Sequence, residues 1–289
     1  MIPARPSVET GSVLLARSRR KSYVDPLLFD YFPKKYAPQS GKSLVGVFQP
    51  YSCECSGFIY SILMQCVLPK DFNGFQLNGY NTHCLLIDCG GRFCVSQFTD
   101  FVKSHLQSKI STSKFENSQY ELLISEMLSR IHIIRVFTDC ELLLSVYVSR
   151  EVIKVHPVSC LIISAVNAFS HLERLRYTSW RNLSNHHSIL MGVLLRLVVD
   201  FQLLCIATMR HFPDAYSSKG CDHPNSSVNS EAHEILRPSV LPFTETKPDD
   251  WLKYVTHKVE LFDCQNSFVS YIKDESGMKV IKDTRVSNP

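Results

Sequence analysis

The residues with the clearest relation to a known chemistry form a short stretch between two apolar segments. Residues 49–56 read Gln-Pro-Tyr-Ser-Cys-Glu-Cys-Ser, after a strand-like run and before an apolar helical pattern. A phosphate-binding loop with the pattern GxxxxGK[ST] has the same length and the same place between a strand and a helix. Only the final position of that pattern, Ser56, is retained. The residues at which such a loop would contact nucleotide are Ser52, Cys53, Glu54, Cys55 and Ser56.

The replaced positions remove the features that hold a phosphate group. Gln49 and Glu54 stand where glycines let backbone N–H groups close around the phosphates, and Cys55 replaces the lysine that carries positive charge. These exchanges lower the local charge by about two units, and one charge pair about 4 Å apart contributes roughly 1–4 kcal/mol. We therefore expect no cofactor here, and ATP with magnesium only as a weak ligand. For this stretch alone, a surface loop that never bound nucleotide is the alternative.

Two further positions follow apolar strands, at the edge where open α/β sheets bind their ligands. The second predicted strand ends in Asp88, a candidate cofactor contact whose context favours a cap of the strand end or loop over a general base. The fourth predicted strand ends in Ser164, where an ATPase needs a carboxylate to hold magnesium. The sequence therefore predicts no catalytic residue at this edge.

Short cysteine and histidine pairs do not form a recognisable metal site. Cys53 is followed closely by Cys55, and Cys221 by His223, but neither pair has a partner at zinc-finger spacing. The chain also lacks a GxSxG segment, which would mark a nucleophilic serine. We therefore expect neither a metal site nor hydrolysis through a nucleophile.

Composition and charge fit an intracellular protein with a sizeable core. The chain of 289 residues is 45% hydrophobic, and 31 basic against 27 acidic residues give a net charge of +4, too small an excess to indicate nucleic-acid binding. Three of the 11 cysteines, Cys84, Cys160 and Cys205, lie in apolar runs where they would pack as small hydrophobes. We expect reduced thiols, no secretion signal and no membrane span.

The predicted organisation is one core with an N-terminal arm and an inserted segment. Residues 1–40 are interpreted as an arm or linker, with a basic cluster at 17–21 that is either a solvated surface or a nuclear address or DNA contact. Residues 41–283 form the core, and the polar residues 216–246 are predicted to be a disordered insertion. An apolar patch on the arm would be exposed on a lone chain, so we predict that it binds a protein partner. This patch consists of Val13, Leu14 and Leu15.

Apolar runs alternate with helical patterns along the core. Continuous apolar runs, typical of strands buried on both faces, occupy residues 44–48, 82–87, 131–137, 160–165 and 203–208. Such alternation predicts right-handed crossovers and a mostly parallel sheet covered by helices on both faces. Short strands near residues 259–262, 268–273 and 279–281 predict an antiparallel C-terminal edge.

Several segments, taken in order, resemble the RecA-like recombinase paralogues. The similar segments are residues 10–17 (TGSVLLAR), 66–70 (CVLPK), 85–88 (LLID), 160–163 (CLII), 165–169 (AVNAF), 205–208 (CIAT) and 251–258 (WLKYVTHK). The resemblance covers most of residues 10–211 and 248–283. It implies a RecA-like three-layer α/β sandwich in a nuclear protein of homologous recombination. It further implies a complex with other RecA-like paralogues, directly with the D-type paralogue, and DNA contact through that complex.

The chain departs from this family at the positions that would bind nucleotide. Cys55 and Ser164 replace the lysine and the aspartate, and Arg210 replaces a polar glutamine after the fifth strand. The sequence therefore favours a non-catalytic, degenerate ATPase subunit that serves DNA repair at DNA breaks and replication forks. The alternatives are a weak DNA-dependent ATPase of the same family and an unrelated α/β enzyme.

Overall fold

A computed structural model describes residue 11 and residues 24–50, 56–109, 117–169, 180–211, 253–262, 268–274 and 277–284. Its strands are β1 Leu44–Pro50, β2 Asp71–Phe72, β3 Phe75–Gln76, β4 His83–Cys89, β5 Ile131–Val136, β6 Val158–Ser164, β7 Leu204–His211, β8 His257–Leu261, β9 Phe268–Asp274 and β10 Gly277–Asp283. Its α-helices are α1 Ser56–Val67, α2 Val95–Lys109, α3 Asn117–Leu128, α4 Asp139–Val155 and α5 Trp180–Phe201. Within the described part of the chain, no helix is long and apolar enough to span a membrane.

Eight strands form the central sheet, in the order β10-β9-β8-β1-β7-β6-β4-β5. The pairs from β5 to β8 are all parallel, whereas β9 runs antiparallel to both of its neighbours. The short strands β2 and β3 form a separate hairpin. This is the predicted α/β fold of the RecA-like type, with a mostly parallel sheet and an antiparallel C-terminal extension.

Helices cover both faces of the sheet, because alternate residues of each buried strand point to opposite sides. On one face, side chains such as Val45, Leu86 and Ile162 pack in one cluster with apolar residues of α1, α2 and α3. On the other face, Leu85 and Ile163 pack in a second cluster with apolar residues of α4 and α5. The continuous apolar runs in the sequence therefore supply two cores, one on each side of the sheet. Cys84, Cys160 and Cys205 are fully buried among these residues, as predicted.

The start of α4 shows how local sequence places a helix. The Thr138 side chain accepts a hydrogen bond from the Glu141 backbone N–H at 3.1 Å, so it caps the helix. The Glu141 carboxylate in turn accepts from the Phe137 N–H at 2.8 Å. These contacts satisfy N–H groups that the first helical turn leaves without partners inside the helix.

The last part of the predicted arm belongs to the core. Residues 24–40 include the 3-10 helix Asp25–Leu28, and Leu27, Leu28 and Phe32 are no more than 2% exposed. The Phe32 ring meets the His257 ring edge-on, with 5.2 Å between their centroids. Packing in the core cluster therefore begins by Val24. The patch Val13, Leu14 and Leu15 and the insertion at 216–246 lie outside the described residues.

The predicted antiparallel extension joins the parallel part of the sheet at β8. This strand pairs in parallel with β1 and antiparallel with β9. The chain between His211 and His257 is long enough for the crossover that a parallel strand requires.

Candidate functional site

A cavity of 460 Å³ lies at the carboxyl ends of β1, β4, β6 and β7. The sequence points to this edge of the sheet, since the connections that follow parallel strands converge there. Polar side chains from the ends of different elements lie on its wall. They are Gln49 of β1, Ser56 of α1, Arg92 after β4, Ser164 of β6 and Arg210 of β7.

The two ends of the degenerate phosphate loop reach the cavity. Gln49 is 4% exposed, pairs with Arg210 in the β1–β7 register, and lines the cavity where a phosphate loop has glycine. Ser56 begins α1, so the retained hydroxyl lies at the helix N-terminus as in a functional loop. Ser52, Cys53, Glu54 and Cys55 lie outside the described residues, so their predicted positions stay predictions.

The end of β6 places a hydroxyl at the position where magnesium would need a carboxylate. Ser164 is followed by Ala165, whose φ of 53° lies in the left-handed region that alanine rarely adopts. The Ala165 N–H donates to the Thr208 hydroxyl at 2.8 Å, and this bond helps to hold the strained turn against β7. The Asn167 side chain reinforces it, donating to the Arg210 carbonyl at 2.6 Å and accepting from the Arg210 N–H at 3.1 Å. The Ser164 position is therefore fixed by contacts between β6 and β7.

Asp88 holds a loop and is not among the residues that line the cavity. Its side chain is fully buried, and its two oxygens accept hydrogen bonds from the N–H groups of Arg92 at 3.0 Å and Phe93 at 2.9 Å. This geometry agrees with the predicted loop cap. Because Arg92 and Phe93 both line the cavity, Asp88 positions one of its walls.

The cavity has an electropositive character that the sequence only partly indicated. Arg92 and Arg210 both line it, and no described residue on its wall is acidic. The sequence pointed to Arg210 at the end of a strand but not to Arg92, which lies in a loop after Gly90 and Gly91. The positive φ angles of these glycines, 92° and 66°, make the turn that brings Arg92 to the cavity. Among the described residues, this wall offers two guanidinium groups to an anion and no carboxylate to magnesium.

The thiol of Cys94 lies on the same wall, and its pKa is shifted by a neighbouring side chain. Its Sγ lies 3.1 Å from the Ser96 hydroxyl. Hydrogen bonding to Ser96 lowers the pKa of the Cys94 thiol. The Tyr60 hydroxyl closes the adjacent wall and donates to the Gln97 side chain at 3.2 Å.

The sheet order is that of an α/β protein with a RecA-like fold. No protein-family model matches the chain. A curated relative from Arabidopsis thaliana, described as DNA repair protein XRCC2 homolog, is 23% identical over 237 aligned positions, and the match covers 68% of this chain and 62% of that protein. The chain thus spans less than two thirds of the length of that relative. This distant similarity agrees with the resemblance to RecA-like recombinase paralogues.

Proposed function

We propose that this chain is a non-catalytic RecA-like subunit that serves DNA repair by homologous recombination. The observation that carries the proposal is Ser164 at the end of β6, where a RecA-like ATPase needs a carboxylate, within an otherwise retained sheet. The similarity to a DNA repair protein supports the biological setting. The chain is nuclear and works with other RecA-like paralogues, directly with the D-type paralogue. It reaches DNA breaks and replication forks through that complex.

Loss of catalysis follows from the charges around the cavity. Phosphoryl transfer depends on a magnesium ion that bridges phosphate oxygens and on a residue that orients the attacking water. Ser164 provides a neutral hydroxyl, and the described wall of the cavity carries no carboxylate. The subunit contact proposed below, through Val13, Leu14 and Leu15, does not involve these groups, so their loss leaves it intact.

A weak DNA-dependent ATPase is the second candidate, and Arg92 and Arg210 are the observation that favours it. A guanidinium group forms bidentate hydrogen bonds with phosphate, so these two side chains offer an anion some of the charge that the missing lysine would supply. Binding of phosphate by these two side chains alone would not need magnesium, whereas hydrolysis would need it. A magnesium requirement for nucleotide binding would therefore favour the ATPase, and its absence would favour the non-catalytic subunit.

We expect the purified chain to bind ATP with a dissociation constant weaker than the low micromolar range and not to hydrolyse it. The reason is the loss of about two units of charge in the loop, which lowers affinity by at least about two orders of magnitude. Calorimetric titration with and without magnesium measures the binding. Arg210→Gln is the matched variant, because it removes one of the two remaining positive charges on the wall and should weaken any residual magnesium-independent binding. Tight binding that requires magnesium would contradict the proposal.

A recombination reporter in cells that lack the protein tests the function itself. Wild type and Ser164→Ala should restore reporter recombination equally, since the proposal gives Ser164 no part in chemistry. Loss of recombination with Ser164→Ala at normal protein abundance would favour the ATPase candidate. Failure of the wild-type chain to restore recombination would reject both.

The apolar patch Val13, Leu14 and Leu15 is the proposed contact with the partner. RecA-like subunits associate head to tail, so one surface of each subunit meets a different surface of the next. Replacing Leu14 and Leu15 by aspartate should abolish capture of the D-type paralogue, because burial of an unpaired charge costs several kcal/mol. Co-immunoprecipitation measures the capture, and circular dichroism measures the folding of the variant.

The control for this double variant is Leu122→Asp on α3, a leucine that is 65% exposed. This change adds a charge to an exposed apolar side chain and should leave capture intact. Unchanged capture by the folded double variant would remove the patch from the interface. Loss of folding in the double variant would place Leu14 and Leu15 in the core instead.

A further inference from the structure

Three histidines meet at the amino-terminal edge of the sheet, opposite the edge that carries the cavity. His83 is the first residue of β4, His132 lies in the neighbouring strand β5, and His156 follows the last residue of α4. One ring nitrogen from each lies within 4.8 Å of the other two. The closest pair is His83 Nδ1 and His132 Nε2, which are 2.9 Å apart. Their spacing in the sequence shows no pattern, so only the fold brings them together.

The sheet gives these histidines a rigid arrangement. β4 is paired with β5 on one side and with β6 on the other, and His156 lies two residues before β6 begins. The rings of His132 and His156 stack with 4.1 Å between their centroids. The rings of His83 and His132 are nearly parallel, with an interplanar angle of 9°. All three side chains are half-buried, so a small ion can reach them from solvent.

Imidazole is the side chain that zinc, copper and nickel share as a common ligand, because a neutral ring offers a nitrogen lone pair. Arg130 is the nearby positive charge, and it is engaged elsewhere: it pairs with Glu126 at 2.5 Å and donates to the Val67 carbonyl at 3.1 Å.

A second cluster of possible ligands, the thiols of Cys66, Cys84 and Cys160, offers a contrast. These sulfur atoms are also within 4.8 Å of one another, but all three residues are fully buried inside the apolar core. Solvent does not reach these thiols in the folded protein, whereas it reaches the half-buried histidines. The histidines are therefore the better candidates for a metal.

We propose that His83, His132 and His156 bind one zinc ion, with a water molecule in the fourth position. Tetrahedral zinc–nitrogen bonds of about 2.0–2.1 Å place the nitrogens about 3.3 Å apart. The His83 and His132 nitrogens, which are 2.9 Å apart, must therefore separate slightly and give up their hydrogen bond. The ion would join β4, β5 and the connection from α4 to β6. The proposal is independent of nucleotide binding at the opposite edge.

Zinc titration of the full purified chain against a chromophoric chelator tests the site. We expect one ion per chain at neutral pH, and His132→Phe should weaken its binding by at least about 100-fold, since loss of an outer-shell partner alone costs 10–100-fold. Phenylalanine keeps a ring against His156 and removes both nitrogens. His105→Phe on α2 is the matched control and should bind zinc like the wild type.

Cobalt in place of zinc gives a readout that needs no variant. Nitrogen and water ligands produce a cobalt spectrum without thiolate-to-metal charge-transfer absorption, whereas coordination by cysteines produces that absorption. Absence of stoichiometric zinc binding, unchanged binding in His132→Phe, or a thiolate spectrum would each overturn the proposal. If His132→Phe does not fold, stoichiometric binding with a nitrogen-only cobalt spectrum of the wild type still supports it.

Discussion

Replacing Phe32 by alanine should lower the free energy of unfolding by about 3–5 kcal/mol, the range for deletion of a buried aromatic ring. Phe32 is completely buried, and its ring packs edge-on against His257 of β8. The variant would leave a cavity between residues 24–40 and the sheet that the surrounding side chains fill only in part. Urea unfolding followed by circular dichroism measures the change, provided that the slope of the transition stays constant.

The matched control is Phe137→Ala, because Phe137 is 58% exposed at the end of β5. This variant should change stability by less than about 1 kcal/mol, as is usual for surface positions. Equal, small effects of both substitutions would show that residues 24–40 are a detachable arm, as the sequence predicted. A large effect of Phe32→Ala alone would establish that a fragment beginning at residue 41 lacks part of its core.

Replacing Asp88 by alanine should destabilise the protein by about 1–3 kcal/mol, the cost of leaving one buried donor without a partner. Its two oxygens accept hydrogen bonds from the Arg92 and Phe93 N–H groups, and the bond from Phe93 is the buried one. Asp88→Asn should have a smaller effect, because the amide keeps one acceptor oxygen. Chemical unfolding of both variants measures this order.

The control for the Asp88 variants is Asp100→Ala on α2, an exposed aspartate. We expect it to unfold within about 0.5 kcal/mol of the wild type. If Asp88→Ala were as stable as Asp100→Ala, the loop that carries Arg92 would be held by other contacts. The carboxylate would then be free to serve a ligand, and the structural role assigned to Asp88 would be wrong.

The sequence predicted the central strands well because a strand that is buried on both faces is apolar at every position. Cys84 to Ile87 and Cys160 to Ile163 are continuous apolar runs, and both runs are completely buried in strands covered on two faces. The burial of residues 24–40 was not predicted, because a 3-10 helix of four residues is too short to show a periodic pattern.

The direction of β8 could not be predicted from its composition. His257, Val259 and Leu261 are buried while Lys258 and Glu260 between them are only half-buried, an alternation typical of antiparallel strands. Near the edge of a parallel sheet the same alternation arises, since one face is less well covered there. Direction depends on the connection from β7, which carries no signal of its own.

The residues of the candidate site that lie at strand ends could be predicted from the sequence. Those that a loop brings to the site could not. Gln49, Ser164 and Arg210 come together because the carboxyl ends of parallel strands share one edge. Arg92 reaches the same cavity only through a glycine turn. The three histidines at the opposite edge come from three separate elements, so no spacing in the sequence marks them.

The buried cysteines allow local opening of the folded protein to be measured by thiol labelling. Cys66, Cys84, Cys160 and Cys205 are completely buried, whereas Cys140 is exposed. A thiol reagent should therefore label Cys140 at once and reach the others only when the strands and helix that enclose them separate. Labelling rates at the buried sites, read by mass spectrometry, would measure how often each part of the sheet opens in the folded protein and whether a bound partner suppresses that opening.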